Sequence, residues 1–175
     1  MRMGSINHRR LLWVVSIFSL WIGCGMPPPA KASTLPGIPL PPQRQKAPEI
    51  SGIAAKIIAD AVAMVGDRYR WGGTSPRTGF DCSGFVQYIL AKAGIQVPRT
   101  ADEQAGALPP ARHLRPGDLL FFRSPRGPYT HVGIYIGGSL FVSAVDRRVG
   151  VQVEPLTRPF WRSTLDGVRA LPAIG

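Results

Sequence analysis

The order of two periodicities along this chain constrains its fold most strongly. Apolar residues recur at helical spacing in residues 50–65 and again in residues 82–94, and Thr100 and Glu103 have the spacing of a capping box at a third, short helix. Beyond Pro109 the pattern changes to short strands, which are predicted at Leu119–Phe122, His131–Ile136, Leu140–Val145, Val149–Val153 and Val168–Leu171. Helices that precede a meandering antiparallel sheet predict an α+β domain.

The N-terminus has the features of an export signal. Basic residues precede an apolar run that is shorter than the roughly 20 residues of a membrane-spanning helix. Two processing sites compete: Cys24 resembles the lipidated cysteine of a bacterial lipoprotein signal, whereas Ala30–Ala32 fits ordinary cleavage before Ser33. An uncleaved anchor is the third alternative. Each alternative predicts an exported protein of the periplasm or cell envelope, and lipidation of Cys24 would attach it to a membrane.

Proline determines the organisation of the next segment. Residues 25–48 contain eight prolines, which exclude a helix or a central strand there. Such a segment is typical of a semi-extended tether. We therefore divide the chain into a signal peptide in residues 1–24, a tether in residues 25–48 and a folded domain in residues 49–175.

The chain is strongly basic, with a net charge of +11 at pH 7. The 15 basic and 10 acidic residues that follow Pro48 keep the folded domain basic as well. A positive surface suits an anionic polymer of the cell envelope or a lipid surface. Nucleic acid is not a predicted partner, because the charges are scattered and no nucleic-acid-binding motif occurs.

A single cysteine at the start of a helical pattern is the candidate nucleophile. Cys82 follows Asp81 at the first turn of that pattern. The N–H groups at the start of a helix favour negative charge, so we expect the Cys82 thiol to lose its proton more readily than an ordinary thiol. The competing interpretation is a small buried apolar residue, which is what an unpaired cysteine usually is.

The candidate base is His131, which begins a predicted strand 49 residues after Cys82. His8 lies in the export signal, so His113, in a loop, is the alternative base. Cys82, His113 and His131 are the soft metal ligands of the mature domain, and no two of them are closely spaced. We therefore predict no metal site, and chemistry by a cysteine and a histidine needs no cofactor.

Several linked motifs carry a resemblance to a known family. They are YRWGGTSPRTGFDCSGFVQY, RPGDLLFF, THVGIYIGGSLFVSA and the C-terminal stretch GVQVEPLTRPFWRSTLDGVRAL. In this order they resemble the NlpC/P60 family of cell-wall cysteine peptidases over about residues 50–172. The resemblance implies a papain-like α+β fold, with N-terminal helices packed on a mainly antiparallel sheet. It also implies hydrolysis of peptidoglycan stem peptides, and we expect a monomer.

The resemblance also implies roles for individual residues. Cys82 matches the family nucleophile and His131 the family base. Tyr69 matches a tyrosine beside the nucleophile, where its hydroxyl could donate to the oxyanion together with the Cys82 backbone N–H; the alternative is a packed loop aromatic. Trp71 is expected to form a wall of the substrate cleft.

The residue that orients the base departs from the family pattern. Family members commonly carry His, Asn or Gln twelve residues after the base, and this chain has Ser143 there. A short turn between the two strands is expected to bring residues 131 and 143 opposite each other, where the serine hydroxyl can accept from the imidazole N–H. Asp146 is the alternative orienting residue, although its neighbours favour a place in a turn. Phe160 and Trp161 are expected to belong to the core.

Two other functions fit the same residues. A non-catalytic wall-binding lipoprotein would hold stem peptides in the same cleft without cutting them, and Ser143 is the residue that favours it. An amidase or acyl transferase would use the same cysteine chemistry on another bond.

Overall fold

Four α-helices and seven strands follow one another in residues 52–174, the part of the chain that the computed structural model describes. The helices are α1 Gly52–Ala63, α2 Cys82–Lys92, α3 Ala101–Ala107 and α4 Pro159–Thr164, and a 3-10 turn covers Pro172–Ile174. The strands are β1 Thr74–Ser75, β2 Gly79–Phe80, β3 Leu119–Ser124, β4 Gly127–Gly137, β5 Leu140–Asp146, β6 Gly150–Pro155 and β7 Leu165–Arg169.

The strands form a two-stranded hairpin and one larger sheet. The five strands of the larger sheet lie in the order β6-β5-β4-β3-β7, and each pair is antiparallel. The predicted α+β class is therefore confirmed, as is the capping box of α3, where Thr100 and Glu103 exchange both hydrogen bonds. The export signal, the tether and Cys24 lie outside the described residues and stay predictions.

The two faces of the larger sheet bury different clusters. One face packs against α1 and α2 and contains Phe121, Val132 and Ile134, which are fully buried. The opposite face contains a smaller cluster of Leu120, Phe122, Phe141 and Trp161. Burial of a large apolar side chain contributes roughly 1.5–3 kcal/mol, so both clusters hold the sheet in place.

The C-terminal third differs from the sequence expectation. Helix α4 was not predicted, because six residues are too few to show a helical period, although Pro159 at its first turn is a helix-start signal. Trp161 is buried as expected, but Phe160 is 63% exposed, so its assignment to the core is wrong. Strand β7 begins at Leu165, directly after α4, and ends at Arg169 rather than at Leu171.

Within the described residues, no helix is both long and apolar enough to cross a bilayer.

Candidate active site

Cys82 is the first residue of α2, and its position depends on the residue before it. Asp81 caps the helix: its Oδ1 accepts from the Gly84 N–H at 2.7 Å, and its Oδ2 accepts from the Gly72 N–H at 2.8 Å. The Arg99 guanidinium binds both carboxylate oxygens, at 3.1 and 2.6 Å. Asp81 is 8% exposed, and its charge is therefore paired where water is scarce.

The first turn of α2 is held from a second side by α3. The Gln104 side chain is fully buried, and its Nε2 donates to the backbone oxygens of Ser83 and Pro98 at 3.0 and 2.9 Å. Arg99 also donates to the Ser83 hydroxyl at 2.9 Å. Sequence reasoning missed both supports. Their only signal is polarity at positions 99 and 104, which are far from Cys82 along the chain.

The sulfur of Cys82 lies against a gap between two strands. The ladder between β4 and β5 extends from Gly137 only as far as Ile134. Beyond it, the Val132 backbone N–H donates to the Cys82 sulfur, and the Val132 carbonyl accepts from the Ser143 hydroxyl at 2.9 Å. Because of this gap, the Cys82 sulfur and the Ser143 hydroxyl both contact Val132 of β4, the residue that follows His131.

Ser143 makes two hydrogen bonds that together assign the tautomer of His131. Its single hydroxyl hydrogen is donated to the Val132 carbonyl, which can only accept. Its 2.8 Å contact with His131 Nε2 must therefore be donated by the imidazole. A neutral His131 consequently carries its hydrogen on Nε2 and leaves Nδ1 with a lone pair, which is the form a general base requires.

The expected register of these two residues is wrong. The ladder pairs Ile134 with Val142, and continuing that register would place Ser143 opposite Gly133 rather than His131. The hairpin closes between Gly137 and Leu140, later along the chain than the expected pairing requires, and the irregularity between Tyr135 and Gly137 then shifts the pairing by one residue, which places His131 and Ser143 on the same face of the sheet. The hydrogen bond between His131 and Ser143 therefore runs diagonally, a reach that a histidine ring spans.

Burial controls the protonation of both groups. It raises the pKa of the Cys82 thiol, and this effect outweighs the N–H groups of Val132 and Ser83, which act in the opposite direction. The expectation of a lowered thiol pKa is therefore wrong, because desolvation exceeds the effect of the helix start. Burial also lowers the pKa of His131 to about 4. At neutral pH the resting pair is a thiol and a neutral imidazole.

This resting state predicts the pH dependence of the thiol's reactivity. Alkylation of Cys82 by iodoacetamide is expected to rise with pH in a single step, with a midpoint above the ordinary cysteine value of about 8.5. The reason is that His131 is uncharged above about pH 4 and supplies no positive charge to the thiolate. The rate is measured by mass spectrometry of the Cys82 peptide, with glutathione as the reference thiol. Fast alkylation that is constant from about pH 5 to pH 8 would show a preformed ion pair instead.

The loop before α2 contains the two aromatic residues that were expected near the sulfur, Tyr69 and Trp71. Tyr69 pairs with Phe80 by a single bridge and is half-buried. Its pKa is raised by burial and by the charge that Cys82 carries as a thiolate, an effect that requires proximity of the two side chains. Trp71 is 72% exposed, and its neighbour Gly72 is bonded to Asp81. This placement is compatible with the cleft wall expected for Trp71.

The alternative residues lie elsewhere. Asp146 accepts from the N–H groups of Arg148 and Val149 at 2.7 and 3.2 Å, so it organises the β5–β6 turn. His113 and Asp118 line a pocket of about 320 Å³. Asp118 directly precedes β3, whereas His131 pairs with Phe122 near the other end of that strand, so His113 lies away from the candidate base. Within residues 52–174, no three His, Cys, Asp or Glu side chains are grouped so that they could hold a metal ion.

Comparison with known proteins gives consistent matches. The model of the NlpC/P60 family matches residues 66–170. The bifunctional muramidase/DL-endopeptidase CwlT of Bacillus subtilis is 43% identical over 116 residues, which are 62% of this chain and 34% of that protein. The murein DD-endopeptidase MepH of Escherichia coli is 42% identical over 112 residues, which are 61% of this chain and 41% of that protein. This chain therefore spans only about a third to two fifths of these relatives.

Solved structures show the same similarity. An NlpC/P60 family protein from Bacillus cereus superposes with a TM-score of 0.63 and 33% identity, over 67% of this chain and 39% of that one. The NlpC/p60 domain of the peptidoglycan hydrolase SagA superposes with a TM-score of 0.58 and 33% identity, over 67% of this chain and 98% of that one.

Proposed function

Since this chain belongs to the NlpC/P60 family, we propose that it is a peptidoglycan hydrolase, a cysteine endopeptidase that cleaves stem peptides of the bacterial cell wall. The single observation that carries this proposal is the arrangement around Val132. The Val132 carbonyl accepts from the Ser143 hydroxyl, and the Val132 N–H donates to the Cys82 sulfur. Val132 directly follows His131, the candidate base. The relatives named DL- and DD-endopeptidases support the same class of substrate.

The proposed reaction begins from the neutral pair. The Cys82 sulfur attacks a stem-peptide carbonyl carbon while His131 Nδ1 takes the thiol proton, so the imidazolium forms only during attack. The oxyanion accepts from the Cys82 backbone N–H and from the Tyr69 hydroxyl. His131 then returns the proton to the leaving amine as the C–N bond breaks, which leaves a thioester. Water, deprotonated by His131, hydrolyses the thioester and regenerates the thiol.

Ser143 keeps the imidazole in the useful tautomer during this sequence. Its hydroxyl accepts from Nε2–H and stays bonded to the Val132 carbonyl, so it supplies orientation without a charge. Ser143 therefore can still orient the imidazole, which argues against the non-catalytic wall-binding alternative.

Ser143→Ala is expected to lower kcat about 10- to 100-fold with little change in KM, because the imidazole loses the acceptor that fixes its Nε2–H tautomer. The rates are compared on purified peptidoglycan with those of Ser163→Ala, which removes an exposed hydroxyl on α4. A kcat equal to that of the unmodified protein would exclude an orienting role for Ser143.

The location of the protein follows from the same proposal. We expect the domain to act outside the cytoplasm, in the periplasm or at the envelope, and lipidation of Cys24 would attach it to a membrane. Radiolabelled palmitate incorporation that is lost in Cys24→Ser would support the lipid anchor. A mature protein that begins at Ser33 would exclude it.

Mass analysis of wall fragments tests the proposed function. Purified peptidoglycan is incubated with the protein, and the soluble products are identified by their new termini. New peptide termini within the stem peptide or its cross-link support an endopeptidase. A new terminus at the junction of glycan and peptide indicates an amidase, and peptide joined to an added amine indicates an acyl transferase. Binding to the wall without release of fragments would indicate the non-catalytic alternative.

A further inference from the structure

One face of the His131 imidazole is covered by the indole of Trp161. The two ring centroids are 5.3 Å apart and the ring planes differ by 23°, so the rings are stacked. Trp161 is 6% exposed and belongs to the smaller cluster of the sheet. Phe122 is a second aromatic neighbour, with its ring centroid 5.9 Å from that of the imidazole. The ring therefore has aromatic neighbours from the smaller cluster of the sheet.

The indole is in turn fixed by a buried carboxylate. Trp161 Nε1 donates to Glu154 Oε2 at 3.0 Å, and Arg158 donates to the same oxygen at 2.8 Å. The Gln152 amide donates to the other oxygen. Glu154 is 3% exposed, and its loss would leave the buried indole N–H of Trp161 without an acceptor.

We propose that Trp161, held in place by Glu154, is a positioning residue that keeps the His131 imidazole in its working orientation. This inference rests on the proposed function only for the identity of the reaction. The hydrogen bond to Ser143 fixes one edge of the imidazole, and the stacked indole fixes the plane of the ring. An indole has a single N–H, so the bond to Glu154 fixes the orientation of the indole itself.

The neutral orienting residue makes this cover necessary. A serine hydroxyl is short and uncharged, and a water molecule could replace it as the acceptor from Nε2–H. Trp161 excludes water from one face of that hydrogen bond.

The charged groups near the imidazole are few. Strands β3 and β5 present Phe122 and Ser143, which carry no charge. Helix α2 presents the Cys82 thiol next to Val132, and Glu154 with its partner Arg158 lies behind the indole. A change at position 161 is therefore expected to alter the pKa of His131 mainly through the desolvation of its ring.

The test is an NMR titration of His131 in the resting protein, with kinetics as a second readout. In Trp161→Ala, water reaches the ring, so the pKa of His131 is expected to move up from about 4 towards the ordinary value of about 6.5. Trp161→Phe, which retains an apolar cover and is the safer variant for folding, is expected to give a smaller upward shift. In both, kcat is expected to fall about 10- to 100-fold with little change in KM, and the acid limb of the pH profile moves with the pKa.

Variants of Glu154 separate positioning from simple packing. Glu154→Gln retains an oxygen that accepts from the indole and is expected to keep the pKa of His131 near its starting value. Glu154→Leu removes the acceptor and is expected to shift the pKa upward. Phe160→Leu, which changes the exposed neighbour of Trp161 without touching the imidazole, is the matched control and is expected to leave the titration unchanged.

A purely structural role would give another pattern. Lower thermal stability in the Trp161 variants, with an unchanged His131 titration and unchanged kcat per alkylatable Cys82, would overturn the proposal. The titration needs no substrate, so it decides the positioning role even if the unmodified protein releases no wall fragments. That second result would count against the proposed function alone.

Discussion

Cys82→Ala is expected to abolish the release of soluble fragments from peptidoglycan, with a loss of roughly 10⁴-fold or more, while the fold is retained. Cys82 is the only cysteine among residues 52–174, so no second thiol there can replace it. Alanine fits the same half-buried space, and the change in unfolding free energy is expected to stay below about 1.5 kcal/mol. Fragment release is measured by mass spectrometry, and folding by circular dichroism and thermal denaturation.

The second cysteine of the chain provides the control. Purified Cys24→Ser is expected to release the same fragments at the same rate as the unmodified chain, because the proposed chemistry uses only the sulfur at position 82. Fragment release that persists in Cys82→Ala, at a rate similar to that of the unmodified protein, would remove the proposed nucleophile and with it the mechanism.

Gly84→Ala is expected to disturb both stability and activity. A Cβ at Gly84 would overlap the backbone carbonyl oxygen of Gly73 and come within 3.0 Å of Asp81 Oδ1. That carbonyl accepts from the Asp81 N–H at 3.1 Å, so moving it disturbs the residue that caps α2 next to Cys82. We expect the unfolding free energy to fall by about 3 kcal/mol and the melting temperature by roughly 10 °C. Displacement of the sulfur by about 1 Å is expected to lower kcat about 100-fold.

A glycine in another helix of the same domain is the matched control. Gly106 lies in α3, and a Cβ there would meet no atom within 4 Å. Gly106→Ala is expected to stabilise the domain by about 0.5–1 kcal/mol, because alanine loses less backbone entropy in a helix, and to leave activity unchanged. Equal melting temperatures for Gly84→Ala and the unmodified protein would show that the loop containing Gly73 moves aside with no loss of stability.

The neutral resting pair has a consequence for how the proposed enzyme works. A thiol whose pKa is raised and an imidazole with a pKa of about 4 hold no net charge at neutral pH, so the resting site has no ion pair to desolvate. In the proposed mechanism the charges form only when substrate occupies the cleft. The N–H groups of Val132 and Ser83, already directed at the sulfur, favour the thiolate at that moment.

Local patterns in the sequence were sufficient for the first three helices and for the choice of the candidate reacting groups. Thr100 and Glu103 predicted the start of α3, because a capping box involves four consecutive residues and needs no tertiary partner. The position of Cys82 at the start of α2 followed from the apolar pattern after it. His131 followed from the shortage of other histidines, and Ser143 followed from the resemblance. The six residues of α4 and the exposure of Phe160 were missed, because so short a segment shows no period.

Only the tertiary structure determined how these groups behave. The pKa of the Cys82 thiol depends on how much water reaches it, and burial by distant segments exceeds the local effect of the helix start. The diagonal contact between Ser143 and His131 depends on an irregularity in strand pairing, which no alternation of residue types reveals. The same is true of Trp161, which lies 30 residues after His131 and meets it only because α4 folds back over the sheet. Residue type and local spacing depend on neighbours along the chain, whereas desolvation, register and stacking depend on neighbours in space.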